Sequence, residues 1–279
     1  MKIAISSDNH LDVNQVDPAQ ALAAQAKWLL EQQVGAYFFL GDLFNNFQKT
    51  RAYFTALQAR VGSQIMIRYL AGNHDQLTGV TAAQLEQRLA PEYFHQAFWD
   101  VPGTDWRIIG NNGWYDYSFS NLAVSPAAVA QWKKVYWIDG SITQAESDPV
   151  RMARVMVQVK AQLQAAQAAG KRVIFVTHFV PAEALVPPLP AHLTTPRQQR
   201  FGQMFNAMLG SQHLGALLLQ TPQVKRVVSG HLHGEFAPQT LGAATYYNPA
   251  VGVRRRPGEW QRTTFMEQWA YRTLVWNLR

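Results

Sequence analysis

A chain of 279 residues, with 48% hydrophobic and 15% charged residues, is long enough to bury a large core, and we expect one domain. This composition excludes a disordered protein, and no apolar run approaches the ~20 residues that a membrane span needs. Cysteine is absent, which excludes disulfides and thiolate metal ligands. The net charge of +7 suits an anionic partner such as a phosphate ester or a nucleic acid.

The chain opens directly with an apolar strand, Lys2 to Ser7, which runs into Asp8 and His10. This start leaves no room for a cleavable signal peptide, so we expect a cytoplasmic protein. An Asp-Pro pair then favours the start of a helix, which the apolar spacing predicts from Ala19 to Gln33.

Strands and helices alternate in the next part of the chain. The predicted elements are a strand from Ala36 to Leu40 that ends at Gly41-Asp42, a helix from about Lys49 to Val61, and a strand from Ile65 to Ala71 that ends at Gly72-Asn73-His74-Asp75. This alternation predicts a parallel sheet with right-handed crossovers. Ligands of such sheets collect beyond the carboxyl ends of the strands, where both of these motifs lie.

Between residues 81 and 120 the alternation changes. We predict a short helix from Thr81 to Leu89 and two strands, near 98–102 and 106–110. An aromatic loop follows these strands.

The aromatic loop contains Trp114, Tyr115 and Tyr117. Such side chains either pack on the sheet or line a substrate cleft, and both interpretations stay open. Residues 121–149, which follow, show little periodicity, and we interpret them as an insertion that caps the site.

Two more strands end in histidine. A helix is predicted from Arg151 to Ala169, because Gly170 follows it directly. The strand after it runs into His178, and the strand near Val227 to Gly230 runs into His231 and His233.

Five prolines lie within residues 181–196, so this stretch cannot be a helix or a central strand. We place it as a loop at the mouth of the site, where His192 is either a surface residue or a substrate contact. Helices are predicted near 197–209 and 214–220, and we interpret residues 181–222 as a second capping segment.

The end of the chain is predicted to form strands and turns, with strands within Gln239 to Tyr247 and Phe265 to Asn277. Alternating side chains near Tyr271 predict a half-exposed strand. The run Arg254-Arg255-Arg256 is interpreted as a solvated loop, with a phosphate clamp as the alternative.

Five strands thus end in carboxylate, imidazole or amide side chains. In chain order the motifs are Asp8-Asn9-His10, Gly41-Asp42, Gly72-Asn73-His74-Asp75, His178 and Gly230-His231-Leu232-His233. This ordered set resembles the calcineurin-like metallophosphoesterase superfamily over residues 8 to 233. The resemblance implies an α/β fold, a four-layer α/β/β/α sandwich of two mixed sheets flanked by helices.

The same resemblance implies a dinuclear metal centre. In extended chain, residues two apart face the same side, so the pair Asp8 and His10 can serve one metal, as can the pair His231 and His233. Gly41, which has no side chain, would let the backbone segments of the two sites approach closely beside the next residue, Asp42. By resemblance, the first metal is held by Asp8, His10 and His233, the second by Asn73, His178 and His231, and Asp42 bridges both.

Without thiolates, the metals are narrowed to Mn, Fe, Zn, Co or Ni. Two ions roughly 3.5–4 Å apart would activate a shared hydroxide nucleophile and clamp the phosphoryl oxygens.

By resemblance, His74 contacts the phosphate and assists the leaving group, and Asp75 is expected to fix the tautomer of His74. The other three histidines are expected to be structural: His95, His192 and His213.

The favoured function is hydrolysis of small phosphomonoesters or phosphodiesters. A DNA or RNA nuclease of the same superfamily is the first alternative, and a non-catalytic interaction protein on this fold is the second. Gly41-Asp42 is not followed by the Asp-Arg-Gly of the protein Ser/Thr phosphatases, which makes that branch unfavourable.

Overall fold

The computed structural model describes all 279 residues and contains ten strands in two sheets. The strands are β1 (Lys2–Ser6), β2 (Ala36–Phe39), β3 (Met66–Tyr69), β4 (Ala97–Asp100), β5 (Trp106–Gly110), β6 (Arg172–Thr177), β7 (Val224–Ser229), β8 (Gln239–Leu241), β9 (Ala244–Tyr247) and β10 (Leu274–Asn277). The helices are α1 (Pro18–Glu31), α2 (Phe47–Val61), α3 (Ala82–Leu85), α4 (Pro126–Tyr136), α5 (Asp148–Ala168), α6 (Pro196–Asn206), α7 (Gln212–Leu219) and α8 (Phe265–Arg272).

Both sheets are mixed. The four-stranded sheet has the order β10-β1-β2-β3, in which β1, β2 and β3 are parallel and β10 is antiparallel. The six-stranded sheet has the order β4-β5-β6-β7-β9-β8, with a parallel centre and antiparallel strands at both edges. The parallel strands of each sheet carry the predicted site motifs at their carboxyl ends.

Alternation along each strand produces four layers, since successive side chains point to opposite faces. Ile5 and Phe38 of the four-stranded sheet pack against Ile174 of the six-stranded sheet in a core between the sheets. On the outer faces, Phe39 packs in the core beneath α1 and α2, and Phe175 in the core beneath α5 and α7. The predicted α/β/β/α sandwich is confirmed.

Local capping signals explain where the first two helices begin. The side chain of Asp17 accepts hydrogen bonds from the amides of Ala19 (2.8 Å) and Gln20, so α1 begins at Pro18, close to the predicted start. Asn46 caps α2 in the same way and accepts from Lys49 N at 3.0 Å. The helix predicted for residues 81–89 is shorter in the structure, where only the single turn of α3 is helical.

The prediction of a strand from Phe265 to Asn277 was wrong for most of that range. Thr264 and Glu267 form a capping box in which the Thr264 side chain accepts from Glu267 N, and the Glu267 carboxylate accepts from Thr264 N at 2.9 Å. Residues 265–272 therefore form α8, whose Trp269 is fully buried. Only Leu274–Asn277 pairs with β1 as a strand.

The segment 121–149 is more regular than its weak periodicity suggested. It contains α4, which begins after Ser125, whose side chain accepts from Ala128 N at 3.3 Å. The proline-rich stretch has no strand and only one short 3₁₀ turn before α6 begins at Pro196, as predicted. No helix in the structure combines the length and the apolarity that crossing a membrane would require.

Candidate metal centre

The motif loops converge at one rim because the carboxyl ends of the parallel strands of both sheets meet there. Backbone hydrogen bonds join the loop after β1 to the loop after β2, with Asp8 N donating to Gly41 O (2.9 Å) and His10 N donating to Asp42 O (3.0 Å). His231 N, after β7, donates to the Asp8 carboxylate at 3.0 Å. The seven predicted ligands, separated by up to 225 residues in sequence, thus lie around one point.

A first group consists of Asp8, His10 and His233, whose ligand atoms all lie within 4.8 Å of one another. His233 Nε2 is 3.1 Å from Asp8 Oδ1 and 3.1 Å from His10 Nε2. Both Asp8 and His10 are almost fully buried. One carboxylate and two imidazoles at these separations could hold a single cation.

A second group consists of Asp42, His178 and His231, and it is extended by Asn73. His231 and His233 thus lie in different groups, contrary to the spacing argument, because the backbone at His231 is not extended (φ 66°). His178 Nε2 lies 3.4 Å from Asp42 Oδ2 and 3.1 Å from Asn73 Oδ1. The same oxygen of Asp42 is 3.7 Å from His10 Nε2 in the first group. The Asp42 carboxylate therefore faces both groups.

The tautomers of three candidate ligands are set by acceptors outside the two groups. His178 Nδ1 donates to Leu40 O at 2.8 Å, and His231 Nε2 donates to Met208 O at 3.2 Å, since a carbonyl oxygen can only accept. His233 Nδ1 donates to Glu259 Oε2 at 2.9 Å. In each case the other ring nitrogen is on the side of the centre, where in its deprotonated form it would bind a metal, the usual arrangement of metal-binding histidine.

Two of these imidazoles carry raised pKa values. Burial opposes protonation of His178, but the carboxylates of Asp42 and Asp8 outweigh it and raise the pKa of His178 to about 9. Burial likewise opposes protonation of His233, whereas hydrogen bonds to Asp8 and Glu259 raise its pKa to about 10. The Asp8 pKa falls to about 2 despite burial, because the carboxylate accepts from His233. Positive charge is thus favoured at this place.

The other two imidazoles favour the neutral, metal-binding form. Burial, with His178 nearby, lowers the pKa of His231 to about 3, and burial lowers that of His10 well below its ordinary value. His10 Nδ1 is buried without a hydrogen-bond partner, and its Nε2 faces the Nε2 of His233 at 3.1 Å. A cation bound between these two facing nitrogens would accept a lone pair from each. The donor set consists only of oxygen and nitrogen atoms, which fits Mn, Fe, Zn, Co or Ni.

Backbone strain accompanies four of the candidate ligands. Asp8, His10, Asp42 and His231 have φ values of 57°, 44°, 65° and 66°, in the left-handed region that side chains rarely adopt. Strain of this kind costs energy and persists only where the surrounding structure imposes it, and it is concentrated at functional sites.

Glycine permits the close approach of the loops after β2 and β3. A Cβ at Gly41 would lie 2.4 Å from Gly72 N, and a Cβ at Gly72 would lie 2.1 Å from Asp42 Oδ1. Neither contact is possible for a larger residue without moving backbone or the Asp42 carboxylate. The close approach anticipated beside Gly41 is confirmed.

His74 lies beside the two groups and lines the cavity above them. Its Nδ1 is 2.7 Å from Asn45 Oδ1, and since an amide oxygen accepts, Nδ1 donates and Nε2 is the free nitrogen. Its ring packs edge-on against His10 with centroids 4.6 Å apart. When the ring is protonated at both nitrogens, the Nε2–H next to the candidate centre could donate a hydrogen bond or a proton to a substrate.

The predicted role of Asp75 was wrong, because its carboxylate does not contact the His74 ring. It is fully buried and accepts from the backbone amides of Asp42 (2.7 Å), Gly72 (2.9 Å), Leu43 and Phe44, and from Thr50 Oγ1. The 3₁₀ turn at residues 74–76 directs neighbouring side chains about 120° apart, which turns Asp75 away from His74. Asp75 therefore holds the Asp42 loop in place.

Three contacts of the centre were missed in the sequence: Asn45, Asp139 and Glu259. Asp139 belongs to the 121–149 segment and accepts from Asn73 Nδ2 at 2.8 Å, which turns the Asn73 oxygen toward His178. Neither Glu259, 26 residues beyond His233, nor Asp139, 66 residues beyond Asn73, forms a sequence motif with its partner. No local signal could have identified them.

The aromatic loop packs on the sheet and does not line the cleft. Trp114 and Tyr115 are fully buried and Tyr117 is 8% exposed, in the core beneath α5. Trp114 Nε1 donates to Asp148 at 2.8 Å, and Tyr117 also contacts that carboxylate. The first of the two interpretations is therefore correct.

None of the three remaining histidines contacts the centre. His95 is buried at the side chain, accepts from Asn112 N and lies 3.6 Å from Glu86. His213 pairs with Asp116 at the surface, and His192 is exposed and does not line the central cavity.

A cavity of about 500 Å³ lies over the centre. Its floor is formed by His74 and five of the seven candidate ligands, His10, Asp42, Asn73, His231 and His233. Its walls come from three parts of the chain. The wall residues are Tyr136, Trp137 and Ile138 after α4, Phe205 and Leu209 at the end of α6, and Val253, Arg255, Arg256 and Glu259.

Comparison with known proteins identifies the class to which this fold and this site belong. The sequence profile of the calcineurin-like phosphoesterases matches residues 1–235. The chain belongs to the calcineurin-like phosphoesterase family. A search among curated protein sequences found no match.

Several solved structures are similar to this chain. One is a dimetal phosphatase from Danio rerio, with 11% identity, a TM-score of 0.47, and coverage of 89% of this chain and 86% of that one. A second is the sulfate thiohydrolase SoxB from Thermus thermophilus, with 11% identity, a TM-score of 0.45, and coverage of 89% and 51%. A third is GAP50 of Plasmodium, described as the anchor in the inner membrane complex, with 12% identity, a TM-score of 0.47, and coverage of 95% and 76%.

Proposed function

We propose that this protein hydrolyses small phosphomonoesters or phosphodiesters at a dinuclear metal centre. Membership in the calcineurin-like phosphoesterase family supports metal-dependent phosphoester hydrolysis in general. The observation that supports the specific site is the Asp42 carboxylate, which faces two adjoining groups of oxygen and nitrogen donors. The proposed ligands are Asp8, His10 and His233 for one ion, Asn73, His178 and His231 for the other, and Asp42 for both.

When bound, two such ions would lower the pKa of a shared water and clamp the phosphoryl oxygens. In the overall reaction a water oxygen bonds to phosphorus, the ester P–O bond breaks, and a proton reaches the departing oxygen. His74 is the residue we propose to supply that proton or to stabilise the departing charge. Asn45 orients it by accepting from Nδ1, so that in the protonated ring the Nε2–H would be the donor to the substrate.

The cavity supports a small substrate. A volume of about 500 Å³ lies within the range of small-molecule sites. Tyr136 to Ile138 and the end of α6 form part of its walls, which supports the proposal that residues 121–149 and 181–222 act as caps.

The whole chain, residues 1–279, is proposed to act as one domain. The part beyond the family match at residue 235 contributes strands to both sheets, since β10 pairs with β1 and β9 pairs with β7. It also contributes Glu259, which orients His233.

The test is hydrolysis by protein that has been stripped of metal and then reconstituted with Mn²⁺, Zn²⁺ or Fe²⁺. We expect about two ions per chain by elemental analysis, as a two-metal site requires, and metal-dependent release of nitrophenolate from 4-nitrophenyl phosphate or its bis-ester. The control is Asp105→Asn, an exposed carboxylate remote from the cavity, which should leave both readouts unchanged. Folded protein that binds two ions but hydrolyses no phosphoester would contradict the proposal.

A nuclease is the second candidate, and the net charge of +7 is the observation that favours it. A single-stranded oligonucleotide digest under the same metals separates the two. Higher kcat/KM for the oligonucleotide than for any small ester would identify a nuclease.

A further inference from the structure

We infer that the cavity selects phosphoesters of the nucleotide class, with a planar base against an aromatic wall and a second phosphate at Arg255. The inference rests on the proposed hydrolytic function and specifies its substrate. It comes from two parts of the cavity that the metal centre does not use. These are the aromatic wall, defined as Tyr136, Trp137 and Phe205, and the arginine loop 254–256.

Two of the three side chains of the aromatic wall are exposed to water, whereas Trp137 is half-buried against the core beneath α5. Tyr136 is 62% exposed and Phe205 is 37% exposed, although both have apolar neighbours with which they could pack. Trp137 packs edge-on against Phe205, with ring centroids 4.6 Å apart, which fixes the two rings relative to each other. Rigid aromatic surfaces of this kind bind nucleobases by stacking, since every base has a π face.

The wall is also held at a defined place relative to the centre. Trp137 is two residues before Asp139, whose carboxylate accepts from Asn73 Nδ2 at 2.8 Å. One short turn, Ile138–Ser141, therefore connects the aromatic wall to a proposed metal ligand. A base on the wall would lie close to a phosphate at the centre.

The arginine loop lies on the His233 side of the cavity. Arg256 Nη1 is 3.5 Å from Glu259 Oε1, and Glu259 is already engaged by His233. Arg255 lines the cavity and forms no ion pair, so its guanidinium is available to an anion. Arg254 is the natural control, because it lies over Trp260, 5.9 Å from the ring centroid, and does not line the cavity.

Together these groups match the chemistry of one ligand. A nucleotide diester or a nucleotide with a second phosphate has a stacking base, a scissile phosphate for the centre and a further phosphate for a guanidinium. The cavity volume of about 500 Å³ has room for a free nucleotide. We therefore assign a free nucleotide, and a nucleic acid strand is an outcome that the test can reveal.

The experiment compares three phosphodiesters that share a leaving group. They are methyl 4-nitrophenyl phosphate, thymidine 5′-(4-nitrophenyl phosphate), and the same thymidine ester with a 3′-phosphate. For the metal-loaded wild type we expect kcat/KM to rise about tenfold from the methyl to the thymidine ester, the size of one base–aromatic stack. The 3′-phosphate should raise it further.

Variants then assign each gain to its residue. Tyr136→Ala and Trp137→Leu should lower the thymidine-to-methyl ratio of kcat/KM toward one. Arg255→Gln should remove the gain from the 3′-phosphate and leave the thymidine-to-methyl ratio in place. The matched controls are Arg254→Gln and Phe98→Ala, the latter an exposed aromatic residue on β4, and neither should change either ratio.

Binding provides a readout that does not depend on turnover. Titration calorimetry of thymidine 3′,5′-bisphosphate into the metal-loaded protein should show binding that Trp137→Leu and Arg255→Gln each weaken.

If no ester is hydrolysed but this pattern of binding holds, the proposed function fails and the inferred nucleotide site stands. Equal kcat/KM for all three esters, with no binding of the bisphosphate, would overturn the inference while the hydrolytic function stands. A kcat/KM that keeps rising from a dinucleotide to a ten-nucleotide strand would also overturn it, in favour of nucleic acid.

Discussion

At the scale of single residues, Asp42 occupies the position on which both proposed metal sites would depend. Its carboxylate is 3.4 Å from His178 Nε2 and 3.7 Å from His10 Nε2, and its other oxygen accepts from His74 N at 2.8 Å. Burial opposes its ionisation, yet the neighbouring imidazoles hold its pKa well below the ordinary value. It is therefore an anion that lies between the two groups.

Asp42→Asn is expected to weaken both metal sites, because it removes the only shared negative charge. Elemental analysis after dialysis at limiting Mn²⁺ should find close to no ion in this variant. Asp8→Asn and Asn73→Ala should each lose chiefly one ion. Equal loss of one ion in all three variants would show that Asp42 does not bridge.

His74→Asn tests chemistry separately from metal binding. We expect both ions to stay bound while kcat falls by roughly 10²–10⁴, the range that general acid catalysis supplies. The loss should be smaller for nitrophenyl esters, whose leaving group departs without a proton, than for alkyl or nucleoside esters. An equal loss on both would indicate phosphate positioning, and loss of metal would make His74 a ligand.

Asp139 is expected to act as a positioning residue for Asn73. Asp139→Ala removes the acceptor that turns the Asn73 amide, and the affinity for one ion should fall about tenfold, in the range usual for partners of metal ligands. Asp139→Asn keeps an acceptor oxygen and should restore most of that affinity. Calorimetric titration with Mn²⁺ measures both. If the Asn variant is as weak as the Ala variant, the hydrogen bond is not the cause.

At the scale of elements, a polar link joins the loop after α3 to α5. The Glu86 carboxylate accepts from Gln158 Nε2 at 2.7 Å and lies 3.5 Å from Arg154 Nη2, both on α5, and 3.6 Å from His95 Nε2. Burial favours the neutral acid, but His95, Gln158 and Arg154 outweigh it and lower the pKa of Glu86 from 4.5 to about 2. The link therefore depends on the charged form.

This depressed pKa predicts a contribution to acid stability. Because the folded-state pKa lies below the unfolded value, the stabilisation is complete above pH 4.5 and is lost as pH falls toward 2. Glu86→Gln should lower the free energy of unfolding at pH 7 and reduce its decline between pH 5 and pH 3. Urea denaturation at each pH measures this. An identical decline in wild type and variant would contradict it.

At the scale of the whole molecule, the centre joins parts of the chain that are distant in sequence. Asp8 follows β1 in the four-stranded sheet, whereas His178 and His231 follow β6 and β7 in the six-stranded sheet. Ions bound by all of them would connect the two sheets at one rim. Metal binding and global stability should therefore be coupled.

We expect metal to raise the melting temperature of the protein. A ligand that binds only the folded state stabilises it by about 2.7 kcal/mol at a hundredfold excess over its Kd. Calorimetric melting with Mn²⁺ and after chelation should show this difference, and Asp42→Asn should lose most of it. An unchanged melting temperature at saturating metal would argue against a centre that joins the sheets.

Much of this molecule could be predicted from local patterns. Residues that alternate along a strand, a capping aspartate before Pro18, and motifs directly after Ser6 and Phe39 all act within a few positions of the chain. Such signals determined the sandwich fold, the family and the order of the candidate ligands. The prediction failed at α8 because the alternation near Tyr271 favours a strand, whereas the local capping box of Thr264 and Glu267 starts a helix.

The sequence by itself thus determined which side chains could form a centre, because strand ends and their motifs are local properties. Only the tertiary structure decided how those side chains are supported. It placed Glu259 on His233 and Asp139 on Asn73, directed Asp75 to the backbone of Asp42 instead of to His74, and buried Trp114 away from the cavity. These contacts depend on packing between segments far apart in the chain, which leaves no periodic trace in the sequence.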